Sequence, residues 1–105
     1  MLFRVTPDAE DARIVRVEGE IDMAEADAFE RELHAVLTAG NTHAVDMSGV
    51  TFIDSSGLRA LFRCGEGLNG EGPLVVVNAS RFVSTLMKIV GLDEAEHVVL
   101  ADGRA

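Results

Sequence analysis

Apolar and polar residues alternate through Ile14-Val15-Arg16-Val17-Glu18, the pattern of a strand with one buried face. A strand is predicted over Arg13 to Gly19, with Leu2 to Thr6 as its neighbour. The turn-rich, acidic Pro7-Asp8-Ala9-Glu10-Asp11 between them predicts a hairpin, which gives the sheet an antiparallel edge. The period then changes to that of a helix. Ala26, Phe29, Leu33, Val36 and Leu37 fall on one face. Asp22 is placed to open this helix, with Glu25 completing an Asp-x-x-Glu capping box, and Gly40 to close it as the left-handed residue.

The next strand is predicted over His43 to Met47, with a bend or bulge at Ser48-Gly49 before Val50-Thr51-Phe52-Ile53. A second helix runs from Ser56 to about Asn69, with Leu58, Leu61, Phe62, Gly65 and Leu68 inward and Arg59, Arg63 and Glu66 outward. Gly70-Glu71-Gly72-Pro73 breaks it. Leu74-Val75-Val76-Val77 is continuously apolar, which suits a strand covered on both faces. Ser80 caps a third helix with Phe82, Val83, Leu86, Met87 and Val90 inward and Gly91 as its stop; His97 to Leu100 closes the sheet, and Asp102 to Ala105 is a frayed tail. The order β-β-α-β-α-β-α-β predicts an α/β fold, a mixed and mostly parallel sheet with flanking helices.

Composition narrows the functions open to such a fold. The 105 residues suffice for one domain, and a 48% apolar fraction supports a packed core. Eighteen Asp and Glu against nine Lys and Arg give a net charge of -9, which argues against direct nucleic-acid binding and attraction to anionic membranes. The apolar runs are too short to span a bilayer, and Met1-Leu2-Phe3-Arg4-Val5 lacks the basic start and long apolar core of a signal peptide. One cysteine, Cys64, permits no intramolecular disulfide and reads as a small apolar core residue. His34, His43 and His97 are scattered without metal-ligand spacing, and the glycines after the second helix lack the Lys-Ser/Thr of a phosphate loop. A soluble protein of the cytoplasm is the simplest reading.

Chemistry concentrates at Asp54-Ser55-Ser56-Gly57, where an apolar run meets a helix start. From spacing alone Ser55 is either the helix N-cap or a modified hydroxyl, and the two readings are compatible. Ser56 is the second candidate acceptor. Asp54 either orients the Ser55 hydroxyl or bonds a backbone turn, and Gly57 serves either close packing or the approach of a partner backbone. Asp22 is most simply an N-cap. Parallel strands end on one rim, however, so its carboxylate is expected near Ser55.

The chain resembles the STAS domain, and within it the bacterial anti-sigma factor antagonists. The resemblance rests on Gly19-Glu20-Ile21-Asp22, on Val45-Asp46-Met47-Ser48-Gly49-Val50-Thr51-Phe52-Ile53-Asp54-Ser55-Ser56-Gly57-Leu58, and on Val90-Gly91-Leu92. With the matching element order it covers essentially the whole chain. It implies that Ser55 is phosphorylated by a partner that is both serine kinase and anti-sigma factor. The unphosphorylated form would bind that partner and free a sigma factor, phosphorylation would prevent binding, and a phosphatase would restore it. Asp22, Met23, Asp54, Ser56, Gly57, Leu58 and Arg59 would form the surrounding contact surface. ATP and magnesium would belong to the kinase, so the chain is expected to need no cofactor and to be a substrate and switch, not an enzyme. A STAS subunit of a transporter or signalling complex, binding without a phosphorylation cycle, is the alternative. Arg59 adds a reading of its own. A cation in the first turn of a helix is disfavoured by the macrodipole, yet it lies four residues after Ser55. There it either answers a phosphoserine or partner carboxylate, or simply pairs loosely outward with Glu66.

Overall fold

A computed structural model describes residues 2–68, 73–91 and 96–101. Its elements are β1 (Phe3–Pro7), β2 (Ile14–Ile21), α1 (Ala26–Gly40), β3 (Ala44–Ile53), α2 (Ser55–Glu66), β4 (Leu74–Val77), α3 (Arg81–Ile89) and β5 (Val98–Leu100). The expected order is therefore present. Asn69, the Gly70-Glu71-Gly72 breaker, Leu92 and the tail from Asp102 to Ala105 lie outside the described residues.

The strands lie in sequence order, β1-β2-β3-β4-β5, with β1 antiparallel to β2 and every other pair parallel. Crossovers of the usual right hand in an unreversed strand order bring their helices to one face. The side chains agree. Val5 pairs with Val17, Val15 with Val45 and then Val76, and Leu74 with Val98, and all of these are buried with the inward residues of the helices in one core. Phe29, Leu33 and Leu37 of α1 are fully buried, each worth about 1.5–3 kcal/mol against exposure. Phe3 meets Phe29 edge to face at 5.7 Å, tying the hairpin to α1.

The alternate rows face away from the helices. Arg4 is opposite Glu18 and Arg16 opposite Asp46, while Val75 is opposite Val99, which is 41% exposed. This corrects the reading of β4 as covered on both faces: Leu74 and Val76 are buried, whereas Val75 and Val77 are only half-buried. A short run of four apolar residues looks the same whether one face or two is covered.

Several boundaries also differ. β2 runs on to Ile21 and β3 is one strand of ten residues, not two. The expected bulge is there: Arg16 pairs with Asp46 but Glu18 with Gly49, and a second slip lets Glu20 pair with Phe52. α1 begins at Ala26, after a separate turn in which the Asp22 carboxylate accepts from the Ala24 and Glu25 N–H groups at 3.0 and 3.2 Å. Asp22 thus caps a turn and not the helix. α1 continues through Gly40, and the left-handed residue is Asn41 at φ 51°. In α3 only Val83 and Met87 are buried, and Phe82 and Val90, expected inside, are 54% and 42% exposed. Ser80 does cap α3, its hydroxyl accepting from the Val83 N–H at 3.1 Å, and Gly91 follows at φ 82°.

Candidate functional site

Ile21 and Ile53 are register partners at the ends of β2 and β3, both fully buried. The residues after them, Asp22 and Asp54, must therefore emerge side by side on the rim of the sheet. The Asp54 N–H donates to the Ile21 carbonyl at 3.3 Å, which joins the two loops.

Asp54, not Ser55, is the N-cap of α2. Its extended backbone (φ -110°, ψ -174°) turns the chain, and one carboxylate oxygen accepts from the Ser56 N–H at 3.0 Å and the Gly57 N–H at 3.1 Å. The same oxygen accepts the Ser56 hydroxyl at 2.6 Å. Half-burial pushes the Asp54 carboxyl up, but the Ser56 hydroxyl and the N–H groups of Gly57, Ser56 and Met23 outweigh it and hold the group below its ordinary 3.8.

Ser55 is left as the first residue of α2. It is exposed, and no hydrogen bond within the described residues occupies its hydroxyl. Ser56 is half-buried with its proton directed at Asp54. Met23 beside them is 78% exposed, and Arg59 is exposed one turn along α2. Arg63 ion-pairs with Glu30 at 3.5 Å, whereas Arg59 has no ion pair among the described residues. Its supposed pairing with Glu66 is therefore absent.

Two residues assigned to the contact surface are not on it. Leu58 is fully buried and belongs to the core, because the inward face of α2 begins at once. Gly57 is buried too: a Cβ there would lie 2.7 Å from Ile53 Cγ1 and 2.9 Å from Ile21 Cγ2. Its hydrogen atom is what lets the helix start sit on the two strand ends. Cys64 is buried, its thiol pushed up to about 12 by burial and then by the Glu30 carboxylate, so it is inert as a nucleophile.

Replacing Asp54 with alanine is expected to lower stability by about 1 kcal/mol, read from the urea midpoint. Because folding lowers this carboxyl, its contribution is complete above the ordinary value and lost as pH falls through the folded one. The difference between wild type and Asp54→Ala should therefore be larger at about pH 7 than at about pH 3.

A second polar feature escaped the sequence reading. On the open face Asp46 is 9% exposed, accepting from the Ser48 N–H at 2.8 Å and the Asn78 amide at 3.1 Å, with Arg16 at 4.0 Å. Burial pushes this carboxyl up, but Ser48, Asn78 and Arg16 outweigh it and hold the group below its ordinary value. The Asn78 bond holds this left-handed residue (φ 58°), which leads into α3, against β3. The only signal in the sequence was a charge inside an apolar strand. Among the described residues no three His, Cys, Asp or Glu side chains come together as a metal site, and no helix is long and apolar enough to cross a membrane.

Comparison with known proteins adds independent information. A family profile described as "Mlab, STAS domain" matches residues 5–101. An anti-sigma factor antagonist from Mycobacterium paratuberculosis is 29% identical, with a TM-score of 0.72 over 92% of this chain and 85% of that one. The anti-sigma factor antagonist SpoIIAA in its unphosphorylated form is similar at a TM-score of 0.60 and 15% identity, covering 96% of this chain and 88% of that one. The Bacillus cell fate determinant SpoIIAA in its phosphorylated form gives 0.55 and 17%, covering 96% and 92%. These two share the fold. No curated protein matches the sequence.

Proposed function

The chain belongs to the STAS domain family, and on that premise we propose that it is an anti-sigma factor antagonist switched by phosphorylation of Ser55. The observation that carries this reading is the Ser55 hydroxyl, exposed at the first position of α2 and without a hydrogen-bond partner among the described residues, beside a serine whose own hydroxyl is engaged. A kinase needs a hydroxyl it can reach and orient in line with a phosphoryl donor, and Ser55 offers one without disturbing the cap. The 29% identical antagonist supports the class of protein.

In this reading the unphosphorylated rim of Asp22, Met23, Ser55 and Arg59 binds an anti-sigma factor that is also a serine kinase, and a sigma factor is released. Phosphorylation adds about -1.5 to -2 charges to a patch that already holds Asp22 and Asp54. The patch then repels the carboxylates it faces and no longer fits. A phosphatase reverses the change. The chain acts as substrate and switch, and the nucleotide and its metal belong to the partner.

Pull-down from the native host with phosphopeptide mapping tests this directly. A kinase recovered with the chain and phosphate on Ser55 is the expected result; phosphate on Ser56 alone would refute the assignment. A second reading has its own support, since the matching profile carries the name Mlab and not that of an antagonist. There the same rim holds the domain in a transporter or signalling assembly with no phosphorylation cycle. Co-purification with permease components and an unmodified Ser55 would select it.

Arg59 is expected to act at this rim, as the arginine four residues after Ser55 with no ion pair of its own among the described residues. Arg59→Ala should reduce either the phosphorylation rate or the partner affinity by about three- to tenfold, in the range of a single exposed charge contact. Kinase assays and calorimetry on the same variant read both, and no change in either removes the role.

A further inference from the structure

We propose that α3 carries a second docking surface for the same partner, shaped for an apolar element flanked by carboxylates. The inference rests on the reading of the Ser55 rim as a partner-binding patch. α3 buries Val83 and Met87, yet a second apolar stripe runs beside them: Phe82 and Ile89 at its two ends, with Leu86, half-buried against the core, between them at i, i+4 and i+7. Phe82 is 54% and Ile89 74% exposed. At its amino end the stripe continues onto the sheet, where the Phe82 ring stacks on Phe52 at 6.5 Å and 28°. Phe52 is itself 42% exposed and lies on β3, two residues before the Asp54 that caps α2. The apolar surface therefore ends three residues along the chain from Ser55.

Single exposed apolar residues are ordinary, but a connected row with a stacked aromatic pair marks an interaction surface. Charge identifies its occupant. The whole chain is at -9, yet Arg81 to Ile89 contains Arg81 and Lys88, both exposed, and no carboxylate. Arg81 precedes Phe82 and Lys88 precedes Ile89 in the chain, and the two cations, seven residues apart, share a helix face flanking the apolar row. An apolar partner surface rimmed by Asp or Glu complements this row. A second copy packed through the same face would bring these cations together, and an anionic lipid surface would face the net charge of the whole chain. Ser55 is thus the switch and α3 the anchor.

The test uses a benzophenone amino acid placed in turn at positions 23, 82 and 89 of the full chain in the native host. Irradiation should label one and the same protein from all three. With that protein purified, Phe82→Ser combined with Ile89→Ser should weaken binding at least tenfold. Arg81→Glu combined with Lys88→Glu should weaken it about as much. Circular dichroism on each variant confirms that the fold is retained, as both sets of residues are exposed. Labelling of a different protein, of a second copy or of lipid from position 82 overturns the inference, as does binding within twofold of wild type by either variant. The two readings fail separately. A shared partner that never phosphorylates Ser55 removes the switch and leaves the anchor, whereas a Ser55 kinase labelled only from position 23 removes the anchor.

Discussion

Ser55→Asp is expected to weaken binding of the kinase partner by about a hundredfold, roughly 2.7 kcal/mol, while Ser55→Ala binds like wild type and can no longer be switched off. Ser55 is exposed at the start of α2, so neither substitution opens a cavity or strands a buried polar group. A carboxylate in the first turn gains about 0.3–1 kcal/mol from the helix dipole. The nearby Asp22 and Asp54 offset part of that, so the melting temperature should move by only a few degrees. Binding is another matter, because on the proposed reading the new charge sits in a patch that a partner would have to dehydrate. True phosphorylation adds about twice the charge and should exceed the effect of aspartate. Calorimetry with the purified partner, alongside a thermal melt, separates the two quantities. Wild-type affinity in the Ser55→Asp chain would defeat the electrostatic switch.

The sequence made the elements legible because their periods differ, and it failed where neighbouring positions carry the same chemistry. Asp54, Ser55 and Ser56 are all good N-cap residues in a row. What chooses Asp54 is the burial of Ile53 just before it, which fixes where the strand must stop. Asp22 likewise finds its N–H partners within its own turn, so α1 waits for Ala26, the first apolar residue with a core to enter. In α3 two stripes stand side by side, Val83-Met87 and Phe82-Leu86-Ile89, and only packing against the sheet decides that the first is inside. That ambiguity hid the exposed stacking of Phe82 on Phe52. The open face of the sheet was hidden for a related reason: β4 shows four apolar residues whether or not a second layer covers it. The candidate site was legible as a place. Its division of labour, with Asp54 capping, Ser56 engaged and Ser55 free, depended on distances that spacing does not encode.

Gly57→Val should be the most damaging single change at the rim, and it acts through the fold. The first atom of any side chain would lie 2.7 Å from Ile53 Cγ1, 2.9 Å from Ile21 Cγ2 and 3.0 Å from the Ile21 carbonyl oxygen. Both isoleucines are fully buried, so neither can swing into solvent, and the carbonyl belongs to the strand end that receives the Asp54 N–H. Overpacking of this kind costs about 1–3 kcal/mol. Valine restores part of the helix propensity that glycine lacks, about half a kcal/mol, which does not balance the clash. A loss of about 2 kcal/mol corresponds to a drop of roughly 10 °C in melting temperature for a domain of this size. The relief available to the chain is to lift the start of α2 from the sheet, which stretches the Gly57 and Ser56 bonds to Asp54 and displaces Ser55. The variant should therefore lose partner affinity even at temperatures where circular dichroism shows it folded, whereas Leu58→Ala, destabilised by about 2–5 kcal/mol through a cavity on the inward face, should keep affinity per folded molecule. Melting curves paired with calorimetry on the two variants distinguish displacement of the serine from loss of stability, and equal affinity per folded molecule in both would show that the position of the α2 start is not what the partner reads.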